Sequence, residues 1–153
     1  MKRRTIILGV VALLVGLMST AKYIGNRRMA ASPEPHLNLA STYASFRQSG
    51  KPSVIVFSYD ADCCETTKAF FREYNSKATA FLEKQKSKSN TLFVNTGIMD
   101  EQQVSEFLKI AQEANITEVP CVLLLDSSGK PVQIITGPFD TTAVSKAAVG
   151  LGR

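Results

Sequence analysis

Residues Ser53 to Ser58 read SVIVFS, a short run of β-branched and aromatic residues with no polar alternation. Such a run belongs to a strand covered on both faces, because a half-exposed strand alternates apolar and polar residues. Gly50-Lys51-Pro52 stops whatever precedes it, and a polar loop from Tyr59 to Cys64 follows. From about Glu65 to Lys86, Phe71, Tyr74, Ala78, Phe81 and Leu82 recur at three and four, which predicts a long amphipathic helix. Phe70 joins these aromatics as core. Thr91 to Asn95 (TLFVN) then reads as a second buried strand. Strand, helix and strand in this order imply a crossover between parallel neighbours.

The rest of the chain extends that unit. Leu39, Tyr43 and Phe46 mark a short helix ahead of the first strand. Asp100 and Gln103 have capping-box spacing and open a helix with Val104, Phe107, Leu108, Ala111 and Ala114 on its inward face. Thr117 to Pro120 is a loop, and Cys121 to Leu125 a third buried strand. Asp126 to Lys130 is a hairpin turn, with Val132 to Thr136 as its return strand. Asp140 caps a last helix with Val144, Ala147, Ala148 and Leu151 inward. The order α, β, α, β, α, β, β, α predicts an α/β domain with a mixed central sheet flanked by helices.

The N-terminus is of another kind. Lys2-Arg3-Arg4 precede thirteen uncharged residues, Ile6 to Met18, and Ser19-Thr20-Ala21 offers a small-x-small cleavage site. The segment satisfies a secretory signal peptide and an uncleaved anchor alike. Lys22, placed to snorkel, and Tyr23, placed for the interface, tilt the reading slightly toward the anchor. Arg3-Arg4 also resembles a weak twin-arginine signal. Residues 1–25 are therefore expected to form a hydrophobic helix that exports or tethers the chain, 26–36 a linker, and 37–153 the domain. The domain would face the periplasm or another extracytoplasmic space, where disulfides form. The leader also explains the charge. The chain carries 18 basic and 13 acidic residues, but six of the basic ones lie in the first 30 positions. The body is near neutral, which argues against a nucleic-acid surface.

Three cysteines are too few for a disulfide scaffold, and their odd number leaves a thiol free or pairing with a partner. The single histidine, His36, stands in the linker, so no Cys/His cluster has zinc spacing and no metal or other cofactor is expected. A soft-metal site such as Cu(I) would need Cys63, Cys64 and Cys121 together.

Three short motifs give the domain a resemblance. Lys51-Pro52-Ser53-Val54-Ile55-Val56-Phe57, then Cys63-Cys64-Glu65-Thr66-Thr67-Lys68, then Glu118-Val119-Pro120 are similar to the thioredoxin family over roughly residues 37–150. The resemblance implies the thioredoxin fold, a cis Pro120 beside the reactive cysteine, and thiol–disulfide oxidoreductase activity on protein or small-thiol disulfides. Val119-Pro120 would present backbone to an extended substrate.

The departures narrow that chemistry. The family pattern Trp-Cys-Gly-Pro-Cys-Lys is absent. Either Cys63 is the nucleophile with Thr66 in the second cysteine's place, or Cys64 is, with Thr67 there and Lys68 at the family's lysine. Loop length leans slightly to Cys63. A thiol at a helix N-terminus is stabilised as thiolate by the dipole and the unpaired amides, and a threonine hydroxyl one turn on can donate to it. Asp60, Asp62 and Glu65 oppose this by adding negative charge. In place of the usual resolving cysteine stand three alternatives: a vicinal Cys63–Cys64 disulfide, resolution by Cys121, or an external thiol. A redox-inactive thioredoxin-fold binding module in a membrane complex is the competing expectation.

Overall fold

The computed structural model of the chain describes residues 37–61 and 63–152. The expected N-terminal hydrophobic helix and linker lie outside them. Among the described residues no helix is long and apolar enough to cross a membrane.

Four strands form one sheet: β1 (Ser53–Ser58), β2 (Asn90–Asn95), β3 (Cys121–Leu125) and β4 (Pro131–Thr136), in the order β2-β1-β3-β4. β1 runs parallel to β2 and antiparallel to β3, and β3 pairs antiparallel with β4. The helices are α1 (Leu39–Gln48), α2 (Glu65–Gln85), α3 (Glu101–Ala114) and α4 (Thr141–Val149). β1 is buried along its whole length, as its unbroken apolar run requires.

The two-residue period of the strands divides the core. Val54, Val56, Val122 and Leu124 face α2 and α4, packing with Tyr74, Ala78, Phe81, Leu82 and Val144. Ile55, Phe57, Cys121, Leu123 and Leu125 face the other way, against Leu39 and Tyr43 of α1 and Ile110 and Ala114 of α3. Each fully buried aliphatic or aromatic side chain contributes about 1.5–3 kcal/mol.

Two expectations change. β2 is an edge strand in which only Val94 is buried. Its apolar run resembles that of β1, but with one neighbour it is covered on one side only. The inward face of α3 is also rotated. Val104 and Leu108 are 40% and 59% exposed, whereas Ile110 is buried. The start of α1 meets the same face of α3 as Ile110. Ala40 N donates to Glu106 Oε2 (3.0 Å), Gln103 Nε2 donates to the Leu37 carbonyl (3.1 Å), and Arg47 pairs with Glu113. Gln103, Glu106 and Glu113 thus face α1, and Val104 and Leu108 face outward.

Gly129 sits where the hairpin turn meets α1. Its φ of +79° is one that side-chain-bearing residues rarely adopt, and a Cβ there would lie 2.3 Å from the Arg47 carbonyl oxygen.

Candidate functional site

The chain leaves β1 at Ser58 and re-enters regular structure at Glu65, so the intervening loop sits at the C-terminal end of the central strand. Tyr59 and Asp60 hold it. The Tyr59 ring lies over Gly97, where a Cβ would come within 2.9 Å of it, and packs edge-on against Phe71 at 5.6 Å. Asp60 is gripped through both oxygens, by Asn75 Nδ2 of α2 (2.8 Å) and Asn95 Nδ2 of β2 (2.7 Å). Ser58 Oγ completes the network by donating to Asn75 Oδ1. Asp60 thus acts as an acceptor that fixes the loop between a helix and a strand. It was expected to disfavour the thiolate, but charge from Asp60 is not among the influences on Cys64. Asp62 lies outside the described residues. This bracing role went unread in the sequence. The available signal was an asparagine inside a long helix, where asparagine is a poor former.

Cys64 is the N-cap of α2, with extended backbone (φ −159°, ψ 158°). The other α-helices described begin on an oxygen. Asn38 accepts from Ser41 N, Asp100 from Gln103 N in a full capping box, and Asp140 from Thr142 N and Ala143 N. At α2 a sulfur stands in that position and closes no cap hydrogen bond. It lies 3.0 Å from Thr67 Oγ1.

This environment holds the Cys64 thiol below its ordinary pKa. The Thr67 hydroxyl is the largest cause, followed by the Thr67 amide and the Cys63 thiol, with the Thr66 amide adding a smaller push against a slight desolvation. The amides favour the charged sulfur without closing a full bond to the neutral one. Thr66 is exposed and Thr67 half-buried. Lys68, 3.7 Å from Glu65, continues the helix from this turn.

Cys63 and Cys64 are both exposed and reduced, with their sulfurs 4.0 Å apart. Loop length leaned to Cys63 as nucleophile. The helix begins at Glu65 as expected, and the N-cap position and the contact with Thr67 belong to Cys64.

Cys121 is in a different setting. It opens β3 opposite Phe57 and is fully buried in the α1/α3 side of the core. Burial, helped by the Glu118 charge, pushes its thiol up to about 12. The structure therefore does not present Cys121 to solvent beside the vicinal pair. A three-cysteine metal site is not formed, and no group of three or more metal-ligating side chains occurs among the described residues. The Val119–Pro120 peptide is cis, as the resemblance implied. The Phe57–Cys121 register places it at the same end of the sheet as the thiol loop, with Val119 37% exposed.

No known protein family's sequence profile matches the chain, and no curated protein matches it. Solved structures do. A thioredoxin from Aeropyrum pernix is 12% identical over 72% of this chain and 83% of its own, with a TM-score of 0.52. The pneumococcal exposed lipoprotein thioredoxin of Streptococcus pneumoniae is 15% identical over 71% of this chain and 90% of its own, with a TM-score of 0.51. Thioredoxin O2 of Arabidopsis thaliana in its oxidized state is 20% identical over 72% and 84%, with a TM-score of 0.50. At these identities the likeness is one of fold. The domain has the thioredoxin fold.

Proposed function

We propose that the domain carries out thiol–disulfide exchange with Cys64 as its nucleophile. The supporting observation is an exposed sulfur at the start of a long helix, 3.0 Å from a threonine hydroxyl. In the forward step the Cys64 thiolate attacks one sulfur of a disulfide. A mixed disulfide forms, the original bond breaks, and the departing sulfur leaves as thiolate and takes a proton from solvent. Thr67 donates to the attacking sulfur, and the Thr66 and Thr67 amides support its charge. The Val119-Pro120 segment at the same end of the sheet, with Val119 exposed and Pro120 half-buried, would present backbone to an extended substrate. Thr67 occupies the place of a second cysteine, which makes the site monothiol-like. Substrates are protein or small-thiol disulfides, and residues 1–25 would deliver the domain to an extracytoplasmic space, tethered or exported.

The test is to expose the reduced full chain to glutathione disulfide and map the adducts. A glutathione adduct on Cys64, lost in Cys64→Ser, is expected. Serine is a good N-cap, so that variant keeps the helix start. Three thiols that stay unmodified from reducing to oxidising buffer would overturn the proposal.

The redox-inactive binding module has one observation in its favour, that no second thiol stands at the usual spacing and the third is buried. In cells, a Cys63→Ser/Cys64→Ser double variant retains function under that reading and loses it under exchange.

A further inference from the structure

We infer that Cys63 is the resolving thiol of this site, so that the exchange cycle closes on a bond between adjacent residues. The inference rests on the exchange reading and adds the step that removes the substrate from Cys64. Its basis is the placement of the three thiols. Cys63 Sγ lies 4.0 Å from Cys64 Sγ, and both side chains are exposed. A disulfide needs about 2.05 Å, so closure requires the sulfurs to approach by roughly 2 Å with solvent around them. The peptide that joins the two residues makes no ladder bond, and closure to an eight-membered ring has to turn it while the Cys64 carbonyl keeps the first helical bond, from Lys68 N (2.9 Å).

The competing groups are worse placed. Cys121 opens a fully buried strand whose residues alternate between two packed faces. Its backbone pairs with Phe57 on one side and Thr136 on the other, and its side chain is buried in the α1/α3 side of the core. Thr67 is close, but its hydroxyl cannot form a disulfide.

The reaction balances with one disulfide as oxidant. Cys64 thiolate attacks the substrate disulfide RS–SR, the Cys64–SR bond forms, and RS⁻ leaves with the bonding pair. Cys63, deprotonated, then attacks Cys64 Sγ. The Cys63–Cys64 bond forms, the Cys64–SR bond breaks, and the second RS⁻ leaves. Two protein thiols lose two electrons and two protons, and the substrate gains them as two RSH. A small thiol or a dithiol protein, supplied as reductant, returns the site to its reduced form.

The experiment counts thiols. The reduced full chain receives one equivalent of glutathione disulfide, free glutathione is measured, and the peptide bearing residues 63 and 64 is analysed by mass. Wild type is expected to release two glutathiones per disulfide consumed. Its peptide should be lighter by two hydrogens and resist alkylation. Cys63→Ser is expected to release one, a twofold loss, and to hold the other on Cys64. Wild type that keeps its adduct as persistently as Cys63→Ser overturns the inference while leaving the exchange reading intact. A Cys64–Cys121 cross-link in wild type also overturns it. Absence of any adduct on Cys64 in Cys63→Ser, with no glutathione released by either protein, overturns the exchange reading itself.

Discussion

Replacing Cys121 by serine and by alanine separates a core cysteine from a working thiol. Its side chain is fully buried between Leu39, Tyr43, Phe57, Ile110 and Leu123 among other apolar neighbours. Alanine removes one heavy atom, worth about 0.8 kcal/mol of transfer free energy. The small void adds about 0.5 kcal/mol, for roughly 1.3 kcal/mol in all. Serine keeps the volume but loses the apolar sulfur and buries a hydroxyl, whose unsatisfied desolvation costs about 1–3 kcal/mol. Serine is therefore expected to be the less stable variant by about 1–2 kcal/mol. For a domain of this size that is a melting point lower by about 4–8 °C. A second readout comes from pH. A thiol held up to about 12 in the folded state stays neutral while the unfolded chain ionises. Its contribution is intact below the unfolded thiol pKa, about 8.5. It is lost as pH rises from there toward 12, by at most about 1.4 kcal/mol per pH unit. In urea unfolding wild type should exceed Cys121→Ala by a constant margin below that pKa, a margin that closes within about one pH unit above it and then reverses. Serine as stable as alanine, or an unchanged difference from pH 7 to 10, would refute the assignment of Cys121 to the core.

Two further outcomes follow from the same structure. Thr67→Val keeps the shape of the side chain and removes the main group that holds the Cys64 pKa down. The alkylation profile of Cys64 should move to higher pH, with Thr67→Ser restoring it; a profile unmoved by Thr67→Val would show that the hydroxyl does not act on the sulfur. The sign for stability is opposite to that of Cys121, since a lowered thiol pKa favours the folded state above the unfolded pKa and the benefit fades as pH falls. Gly129→Ala should cost more than about 2 kcal/mol in urea unfolding, because positive φ alone costs about 1–2 kcal/mol and the new Cβ meets the Arg47 backbone. Gly50→Ala, at φ +69° in open space, should cost only the first part; equal losses would mean the Arg47 contact carries no weight.

β1 and α2 were legible because each carries a single strong period: an unbroken apolar run in one, a three-and-four repeat in the other. The capping box of α3 was legible for a similar reason, since both partners lie within one turn. What the sequence concealed depends on partners far along the chain. TLFVN cannot announce that it will have one neighbour. The face that α3 turns inward meets Ala40, Leu37 and Arg47, more than sixty residues away. Asp60 reads as a charge next to a cysteine until Asn75 and Asn95 are brought to it. That Thr67 rather than Thr66 lies against a sulfur is set by side-chain directions in the first turn of α2, which loop counting does not fix.

The start of α2 joins these observations. An N-cap oxygen would satisfy amides that a neutral sulfur leaves open, so a cysteine there gives up helix stability. The helix does not depend on that contribution. Its buried residues, Tyr74, Ala78, Phe81 and Leu82, begin more than two turns beyond Cys64, and its 21 residues are held by packing against the sheet. The first turn is free to serve chemistry. Its open amides stabilise a thiolate when one forms, and the Asp60 clamp keeps the preceding loop in place without burying the sulfurs. Two exposed thiols 4.0 Å apart stand there, even though the usual spacing of two residues is gone. Under the proposed exchange cycle, the missing second cysteine changes where the bond closes, and Cys63 would decide whether the site turns over or stalls as a mixed disulfide.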